Sequence, residues 1–307
     1  MSDPGSAPPA VAPVGPLRDV RGPSALGGGA RRFFDLLWLI SVTEFKRTYF
    51  GTVLGYVWSL LRPLLLFGVL LFVFTRVFKI GSEEVVHYPV MLLMGIVLFT
   101  FFQESNTNAV SSVVTQEGIV RKTQFPRLVI PLATVLTASF NLCLNLVIVF
   151  VFLFAFGVDP TWTWLLFPFA LVALFALTAA LSMALSVLYV RFRDVSIIWL
   201  VFAQALFYVT PILYPVTAFK NARYEHLLMI NPLAVIFTQV RVWILAERHV
   251  SVTNTSSGPK VVQPAPTAVE AAGGALHLLP ALAIFLAICV FGVWIFNRDA
   301  PRIAEDL

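Results

Sequence analysis

The sequence has little charge. Only 12% of its 307 residues are Asp, Glu, Lys or Arg, whereas soluble domains carry about 25%. No stretch has the charge density needed to cover a soluble domain. In contrast, 59% of the residues are apolar and the mean hydropathy is +0.87. The composition therefore predicts an all-α integral membrane protein, and a soluble enzyme is excluded.

Cysteine and histidine are also scarce. The two cysteines, Cys143 and Cys289, both lie inside apolar segments. We interpret them as small packing residues and not as a disulfide or metal ligands. The four histidines are scattered without the spacing of metal ligands. No metal site is therefore predicted.

Several functional motifs are missing. The sequence has no Gly-x-x-x-x-Gly-Lys-Ser/Thr loop, so this chain is not expected to bind ATP by that device. Its adjacent acidic pairs are Glu83-Glu84 and Glu305-Asp306, which do not form the magnesium-binding cluster expected of a polyprenyl-phosphate enzyme. The basic residues gather near predicted membrane boundaries and form no stripe, so nucleic-acid binding is not expected.

Long apolar segments supply the predicted architecture. About 20 apolar residues cross a hydrocarbon layer of ~30 Å, and most of the 21 Lys and Arg residues lie on the side of the two termini. By the positive-inside rule both termini are therefore cytoplasmic. Six spans are predicted, at 57–79, 88–113, 128–156, 163–190, 195–216 and 275–297.

The N-terminal region is predicted to contain no span. Residues 1–30 are rich in Pro, Gly and Ala, which predicts a disordered cytoplasmic tail. Residues 31–47 mix apolar and charged positions over about four helical turns. Phe34, Leu37, Trp38 and Phe45 share one side of the helix, which predicts an amphipathic interfacial helix before the first span.

The second span becomes polar toward the cytoplasm. Glu104, Asn108, Ser111 and Thr115 share one helical face. A carboxylate at the bilayer centre costs at least ~2.5 kcal/mol, so Glu104 needs a partner, water or the interface. Hydrogen bonding between helices and the lining of a hydrated pathway both remain open.

The fifth span is aromatic, and Pro211 is expected to kink or end it near the outer interface. Three interpretations of its aromatic side chains stay open: they face lipid, pack inside the protein or line a path for sugar rings. The side chains concerned are Phe207, Tyr208 and Tyr214. The outer loop, 217–274, contains a helix start at Asn231-Pro232. The following stretch, Pro232–Leu245, is too short to span, which predicts a re-entrant or interfacial helix. Residues 250–274 are predicted to form a flexible insertion.

Residues 116–127 form a short charged cytoplasmic loop. It is either an ordinary positive-inside loop or a short helix that docks into a partner protein. Pro126 separates it from the third span.

The motifs together resemble the membrane subunit of bacterial type-2 ABC exporters of lipid-linked polysaccharides such as O-antigen, teichoic acid and galactan. The resemblance covers the chain from about residue 31 to its end. The matching sequences are Arg47-Thr-Tyr-Phe-Gly-Thr-Val-Leu-Gly-Tyr-Val-Trp58 with Pro63, Phe125-Pro-Arg-x-x-x-Pro131, Arg191-Phe-Arg-Asp-Val195, Thr210-Pro-Ile-Leu-Tyr-Pro215 and Asn231-Pro232.

The resemblance implies a six-span permease domain over residues 31–307 that works as a homodimer in the bacterial inner membrane. It implies no enzymatic activity and no cofactor in this chain, because ATP and magnesium bind separate ATP-binding subunits. Residues 116–127 become the coupling helix, and the outer loop becomes a gate. The implied coupling residues are Glu117, Arg121, Lys122 and Arg127; the pathway residues are Glu104, Asn108, Phe207, Tyr208 and Tyr214; the interfacial gate residues are Arg47, Tyr49 and Trp58.

Two rival functions remain open at this point. One is a multispan membrane enzyme of polyprenyl-linked glycan assembly, and the other is a drug or small-lipid ABC exporter. Glycosyl transfer by the purified chain would favour the enzyme, and the compound that accumulates on depletion would separate the two exporters.

Overall fold

The computed structural model describes residues 29–49, 55, 57–77, 87–118, 126–216, 222–245, 251–255, 258–262 and 265–299. The described regular secondary structure is helical apart from one small hairpin. The α-helices are α1 (Ala30–Tyr49), α2 (Val57–Phe72), α3 (Tyr88–Thr115), α4 (Val129–Ala155), α5 (Phe167–Arg191), α6 (Val195–Val209), α7 (Ala222–Leu228), α8 (Pro232–Leu245), α9 (Ala268–Ala271) and α10 (Leu279–Asp299). A π-turn, Val73–Val77, extends α2, and 3-10 turns at Trp162–Leu166 and Ala275–Leu278 precede α5 and α10.

Five helical segments within the described residues are long and apolar enough to cross a membrane. They are Val57–Val77, Tyr88–Thr115, Val129–Ala155, Trp162–Arg191 and Ala275–Asp299. They correspond to five of the six predicted spans. The remaining predicted span, 195–216, contains the 15-residue helix α6, which is about 22 Å long at 1.5 Å per residue.

Helix α3 is the centre of the bundle. It packs between α4 and α5 and also contacts α2, α6 and α8. Leu92, Leu93, Ile96, Phe99 and Phe102 on α3 are almost completely buried. Because the first half of α3 packs against several helices at once, the apolar residues there do not form a single stripe.

Helix α1 confirms the helix predicted over residues 31–47. It runs beside the first half of α4, where the Thr137 hydroxyl donates to the Ser41 carbonyl oxygen at 3.2 Å and the Ser41 hydroxyl contacts the Ala133 carbonyl at 3.3 Å. Its buried side chains are Phe33, Ser41 and Tyr49, whereas Phe34 and Trp38 are exposed. The helix therefore turns much of its predicted apolar side away from the bundle.

Helices α5 and α10 approach unusually closely at Gly292. A Cβ atom at this position would overlap the Ala180 carbonyl oxygen and lie 2.8 Å from the Ala180 carbonyl carbon. Small residues at such a crossing allow two helix backbones to approach in the membrane. This contact fixes α10, most of whose other side chains are exposed.

The segment after α6 leaves the helical conformation. The helix ends at Val209, two residues before Pro211, as expected from the missing proline N–H. Six of the seven residues in 210–216 are buried. Helix α8 then begins at Pro232, where the Asn231 side-chain oxygen accepts from the Leu233 N–H at 3.0 Å. The Asn cap predicted from the sequence is confirmed.

The predicted flexible insertion is partly ordered, which corrects the interpretation of residues 250–274. Strands β1 (Ser251–Thr255) and β2 (Gly258–Val262) form an antiparallel hairpin. Strand β1 contains one Val and two Thr, and β2 contains two Val; these β-branched residues favour extended backbone. Helix α9 follows with a capping box, in which Thr267 and Glu270 satisfy each other's backbone N–H groups.

Candidate functional site: an inner polar cavity and an outer junction

A large polar cavity, which we call the inner cavity, opens between α1, α3 and α4. Its volume is ≈ 860 Å³. Most lining side chains carry a hydroxyl, amide or charged group, although α3 and α4 are long apolar helices. The polar lining residues are Thr43, Glu44, Arg47, Thr48, Glu104, Asn108, Ser111, Ser112, Thr115, Gln116, Thr134 and Thr137.

The inner cavity extends along α3 from the end of the helix as far as Glu104. This residue lies about 24 Å from the start of α3 at Tyr88 and about 16 Å from its end at Thr115, at 1.5 Å per residue. For a hydrocarbon layer of ~30 Å that begins near Tyr88, Glu104 lies close to the opposite interface. The position predicts that water enters the cavity, which reduces the cost of the carboxylate.

Glu104 is one end of a hydrogen-bonded chain that joins four helices. The Asn141 amide of α4 donates to the Glu104 carboxylate at 3.3 Å, and the Tyr49 hydroxyl of α1 donates to the Asn141 side-chain oxygen at 2.9 Å. The Asn145 amide contacts the carbonyls of Asn141 at 2.9 Å and of Ser59 on α2 at 3.4 Å. We call these side chains the Glu104 network.

The environment keeps Tyr49 neutral. Burial, followed by the nearby Glu104 carboxylate, raises the pKa of the Tyr49 phenol above its usual value of 10.0. The phenol therefore keeps its proton at physiological pH and acts as a hydrogen-bond donor toward Asn141.

At the other end of the bundle, side chains from neighbouring elements form hydrogen bonds with the non-helical segment 210–216. The Arg241 guanidinium of α8 donates to the Pro211 carbonyl at 2.8 Å, and the Tyr88 hydroxyl of α3 donates to the Leu213 carbonyl at 2.8 Å. The Asn231 amide contacts the Thr210 hydroxyl at 3.2 Å. Irregular backbone at membrane depth requires such partners, because lipid offers none. We call this arrangement the outer junction.

Replacing Arg241 with methionine is expected to destabilise the outer junction. The change leaves the buried Pro211 carbonyl without its donor, which typically costs about 1–3 kcal/mol. Thermal unfolding of the detergent-solubilised chain, followed by size-exclusion chromatography, measures the loss. The control is Met at Arg223, which is exposed on α7; equal effects of both changes would contradict the role of Arg241.

The structure brings some of the sequence-predicted residues together and separates others. Glu104, Asn108, Ser111 and Thr115, predicted to share one face, all line the inner cavity. The gate candidate Arg47 lines it too, Tyr49 is buried in the Glu104 network, and Trp58 is half exposed on α2.

The aromatic pathway candidates lie near the outer junction, on and just after α6. Phe207 is buried against Phe99, with ring centroids 5.2 Å apart, whereas Tyr208 is 56% exposed. The Tyr214 hydroxyl donates to the carbonyls of Tyr208 and Val209 at the end of α6, at 3.0 and 3.1 Å. The five pathway candidates thus form an inner and an outer group, and only Tyr208 presents a largely exposed ring.

The coupling residues are described only in part. Glu117 lies directly beyond the end of α3, and Arg127 is buried before α4. Arg121 and Lys122 lie outside the described residues, as do residues 1–28 of the predicted tail.

Sequence reasoning missed three residues of these two sites: Asn141, Asn145 and Arg241. Asn141 and Asn145 are four residues apart in an apolar segment, so they lie on one helical face. Two amides on one face of a span signal a buried polar contact.

The spacing of the four histidines in the sequence gave no sign of contact between them. In the structure, however, the rings of His226 and His277 stack with their centroids 5.5 Å apart. No cluster of three possible metal ligands exists among the described residues.

Together, the apolar helices and the polar cavity among them define a multi-pass membrane protein. The chain belongs to the ABC-2 type transporter family, whose model matches residues 35–245. Two proteins from Klebsiella pneumoniae, each called O-antigen export system permease protein RfbA, are 32% and 31% identical to it over 203 residues. These matches cover 66% of this chain and 76% of each relative. A protein of the same name from Myxococcus xanthus is 29% identical over 196 residues, which cover 64% of this chain and 74% of that relative.

Proposed function

We propose that this chain is the transmembrane subunit of an ATP-driven exporter of polyprenyl-diphosphate-linked polysaccharide. The substrate would be of the O-antigen, teichoic acid or galactan type and would move from the cytoplasm to the outer face of the bacterial inner membrane. The observation that carries the proposal is the 32% identity, over 203 residues, to an O-antigen export permease. The resemblance assigns ATP hydrolysis to a separate ATP-binding subunit.

The proposal includes six membrane crossings with both termini in the cytoplasm. Five are the long apolar segments. The sixth combines α6 with the segment 210–216, which together have the length of a span. Burial of this segment and its bonds to Tyr88 and Arg241 support the crossing, because they supply the partners that irregular backbone needs at membrane depth. In this arrangement α8 is the predicted re-entrant helix on the outer side.

A homodimer would provide a pathway wide enough for a polymer. Helices α2 and α6 leave many large apolar side chains exposed, and Tyr208 is among them. In a dimer these helices would face either lipid or the second copy across the pathway. Aromatic rings suit such a wall, since they make weak contacts with sugar rings and carry no charge that is costly to bury.

Depletion of the chain in its host tests the proposed function. We expect lipid-linked glycan to accumulate on the cytoplasmic face of the inner membrane, while the same glycan disappears from the outer face. Sealed inside-out and right-side-out vesicles, probed with a lectin, separate the two faces. Accumulation of a drug or simple lipid instead, or glycosyl transfer by the purified chain, would replace the proposal with one of its rivals.

Replacing Tyr208 with alanine is expected to slow glycan export several-fold without lowering the amount of folded protein. The ring is 56% exposed and packs edge-on against Phe207, with ring centroids 5.4 Å apart, so its loss removes exposed surface and one ring contact. The matched control is Phe169→Ala on α5, since Phe169 is 69% exposed. Equal export by Tyr208→Ala and the parent chain would remove Tyr208 from the pathway. Tyr214 is less suitable for this test because its hydroxyl holds the end of α6.

A further inference from the structure

The apolar helix α2 carries one exposed arginine close to its first turn. Arg62 follows the start of α2 at Val57 by about 7 Å along the helix axis. Trp58 lies one turn earlier on the same face and is 50% exposed. Indole rings prefer the level of the lipid headgroups. The pair therefore places the Arg62 side chain just inside one membrane interface.

The side of α2 that carries Arg62 lies against the Glu104 network. Ser59, three residues before Arg62 and therefore on the same helical face, accepts from the Asn145 amide at 3.4 Å through its carbonyl oxygen. The positive charge of Arg62 also acts on Glu104 and Tyr49. Its neighbour in sequence, Pro63, lines a small cavity together with Glu104, Asn141 and Asn145. Glu104 lines this small cavity and also the inner cavity, so the two cavities meet at Glu104, and the residue next to Arg62 lines one of them.

Within the described part of the chain, no partner holds the Arg62 side chain in place. Among the described residues, no hydrogen bond or ion pair holds its guanidinium. An arginine exposed within a span is costly unless an anion compensates it. Glu104 supplies part of that compensation at longer range, and the exposed side of the guanidinium remains available. Guanidinium groups bind phosphate through two parallel N–H···O bonds, a geometry that lysine does not offer.

From this arrangement we infer that Arg62 binds the phosphate group of a membrane lipid, with Glu104 as the internal anion that competes for it. The inference deepens the proposed function, on which it rests, by assigning Arg62 to the diphosphate of the lipid-linked substrate. Binding of the diphosphate draws the guanidinium away from Glu104. The Glu104 network, which joins α1, α2, α3 and α4, is thereby connected to the arrival of substrate.

Lipid binding to the purified full-length chain in phosphatidylcholine nanodiscs tests the inference. The probe is undecaprenyl diphosphate without sugar, and native mass spectrometry measures its bound fraction. We expect Arg62→Gln to weaken binding about tenfold or more, the loss expected for a hydrogen bond to a charged group. Arg62→Lys should recover only part of the affinity. The control is Arg76→Gln, because Arg76 is also exposed and lies at the opposite end of the same span.

Glu104→Gln should act in the opposite direction and strengthen diphosphate binding several-fold, since it removes the competing carboxylate. A purely structural role of Arg62 predicts no such opposite effect. Unchanged binding by Arg62→Gln, or a loss of the same size in Arg76→Gln, would overturn the assignment. Unchanged binding by Glu104→Gln would show that the Glu104 carboxylate does not compete with the phosphate for Arg62.

Phosphatidylglycerol, used as a second probe, separates the possible sources of phosphate. If it binds as tightly as the diphosphate and depends equally on Arg62, the site recognises ordinary lipid headgroups and the assignment to substrate is wrong. An export assay separates this inference from the proposed function. If the parent exporter moves glycan and Arg62→Gln binds the diphosphate as well as the parent chain does, only the inference about Arg62 is rejected. If diphosphate binding depends on Arg62 but the parent exporter moves no glycan, only the proposed function is rejected.

Discussion

Replacing Gly292 with alanine is expected to reduce the amount of folded protein recovered from membranes. The added Cβ would overlap the backbone carbonyl of Ala180, so neither side-chain rotation nor a small shift can remove the contact. Overpacking typically costs about 1–3 kcal/mol, and movement of a whole helix raises that cost. Fluorescence-detected size-exclusion chromatography after a temperature series measures the loss.

The matched control for this substitution is Gly68→Ala on α2. A Cβ at Gly68 has no neighbour within 4 Å among the described atoms, and alanine is the better helix former. The control is expected to leave the midpoint of thermal unfolding unchanged or slightly raised. Similar midpoints for Gly292→Ala and Gly68→Ala would show that α5 and α10 do not touch as described.

Reversing the charge of Arg121 and Lys122 to glutamate is expected to abolish glycan export while expression in the membrane remains intact. The expectation comes from the sequence, since both residues lie in the short charged loop of 116–127 and outside the described structure. If this loop docks into the ATP-binding subunit, two reversed charges add repulsion and remove attraction at the contact. Co-purification of the ATP-binding subunit and export of labelled glycan are the two measurements.

The control for this reversal is another adjacent basic pair on the same predicted side, Arg31 and Arg32. Both are exposed at the start of α1, so their reversal should leave co-purification of the ATP-binding subunit intact. Retained co-purification and export in the Arg121/Lys122 variant would reject the coupling role. ATP hydrolysis by the purified chain alone would reject the proposal that a separate ATP-binding subunit hydrolyses ATP.

The sequence predicts the helical membrane class and most spans because burial in lipid requires long apolar segments, which composition reveals directly. It also predicts the shared face of Glu104, Asn108, Ser111 and Thr115, since helical spacing determines that face locally. The Asn231 cap and the end of α6 before Pro211 were predictable for the same local reason.

Contacts between distant segments were not predictable. The sequence suggests that the Tyr49 ring lies at the membrane interface. In the structure its hydroxyl donates to the side chain of Asn141, which is 92 residues away in the sequence. The partner of Arg241 is a carbonyl, and every residue has one, so the sequence could not single out Pro211. The hairpin at 251–262 was missed because Ser, Pro and Gly around it indicated flexibility, while cross-strand pairing gives the segment its order.

The outer junction has a consequence for biosynthesis. Pro211 and Leu213 leave the ribosome well before Arg241, which supplies the donor for the Pro211 carbonyl. Until α8 has been translated and has packed, that carbonyl must be satisfied by water or by the translocation machinery. If residues 195–216 form the proposed sixth crossing, we expect this segment to reach its final structure only after the ribosome has made α8, and we expect a chain truncated before Arg241 to leave the Pro211 carbonyl without its donor.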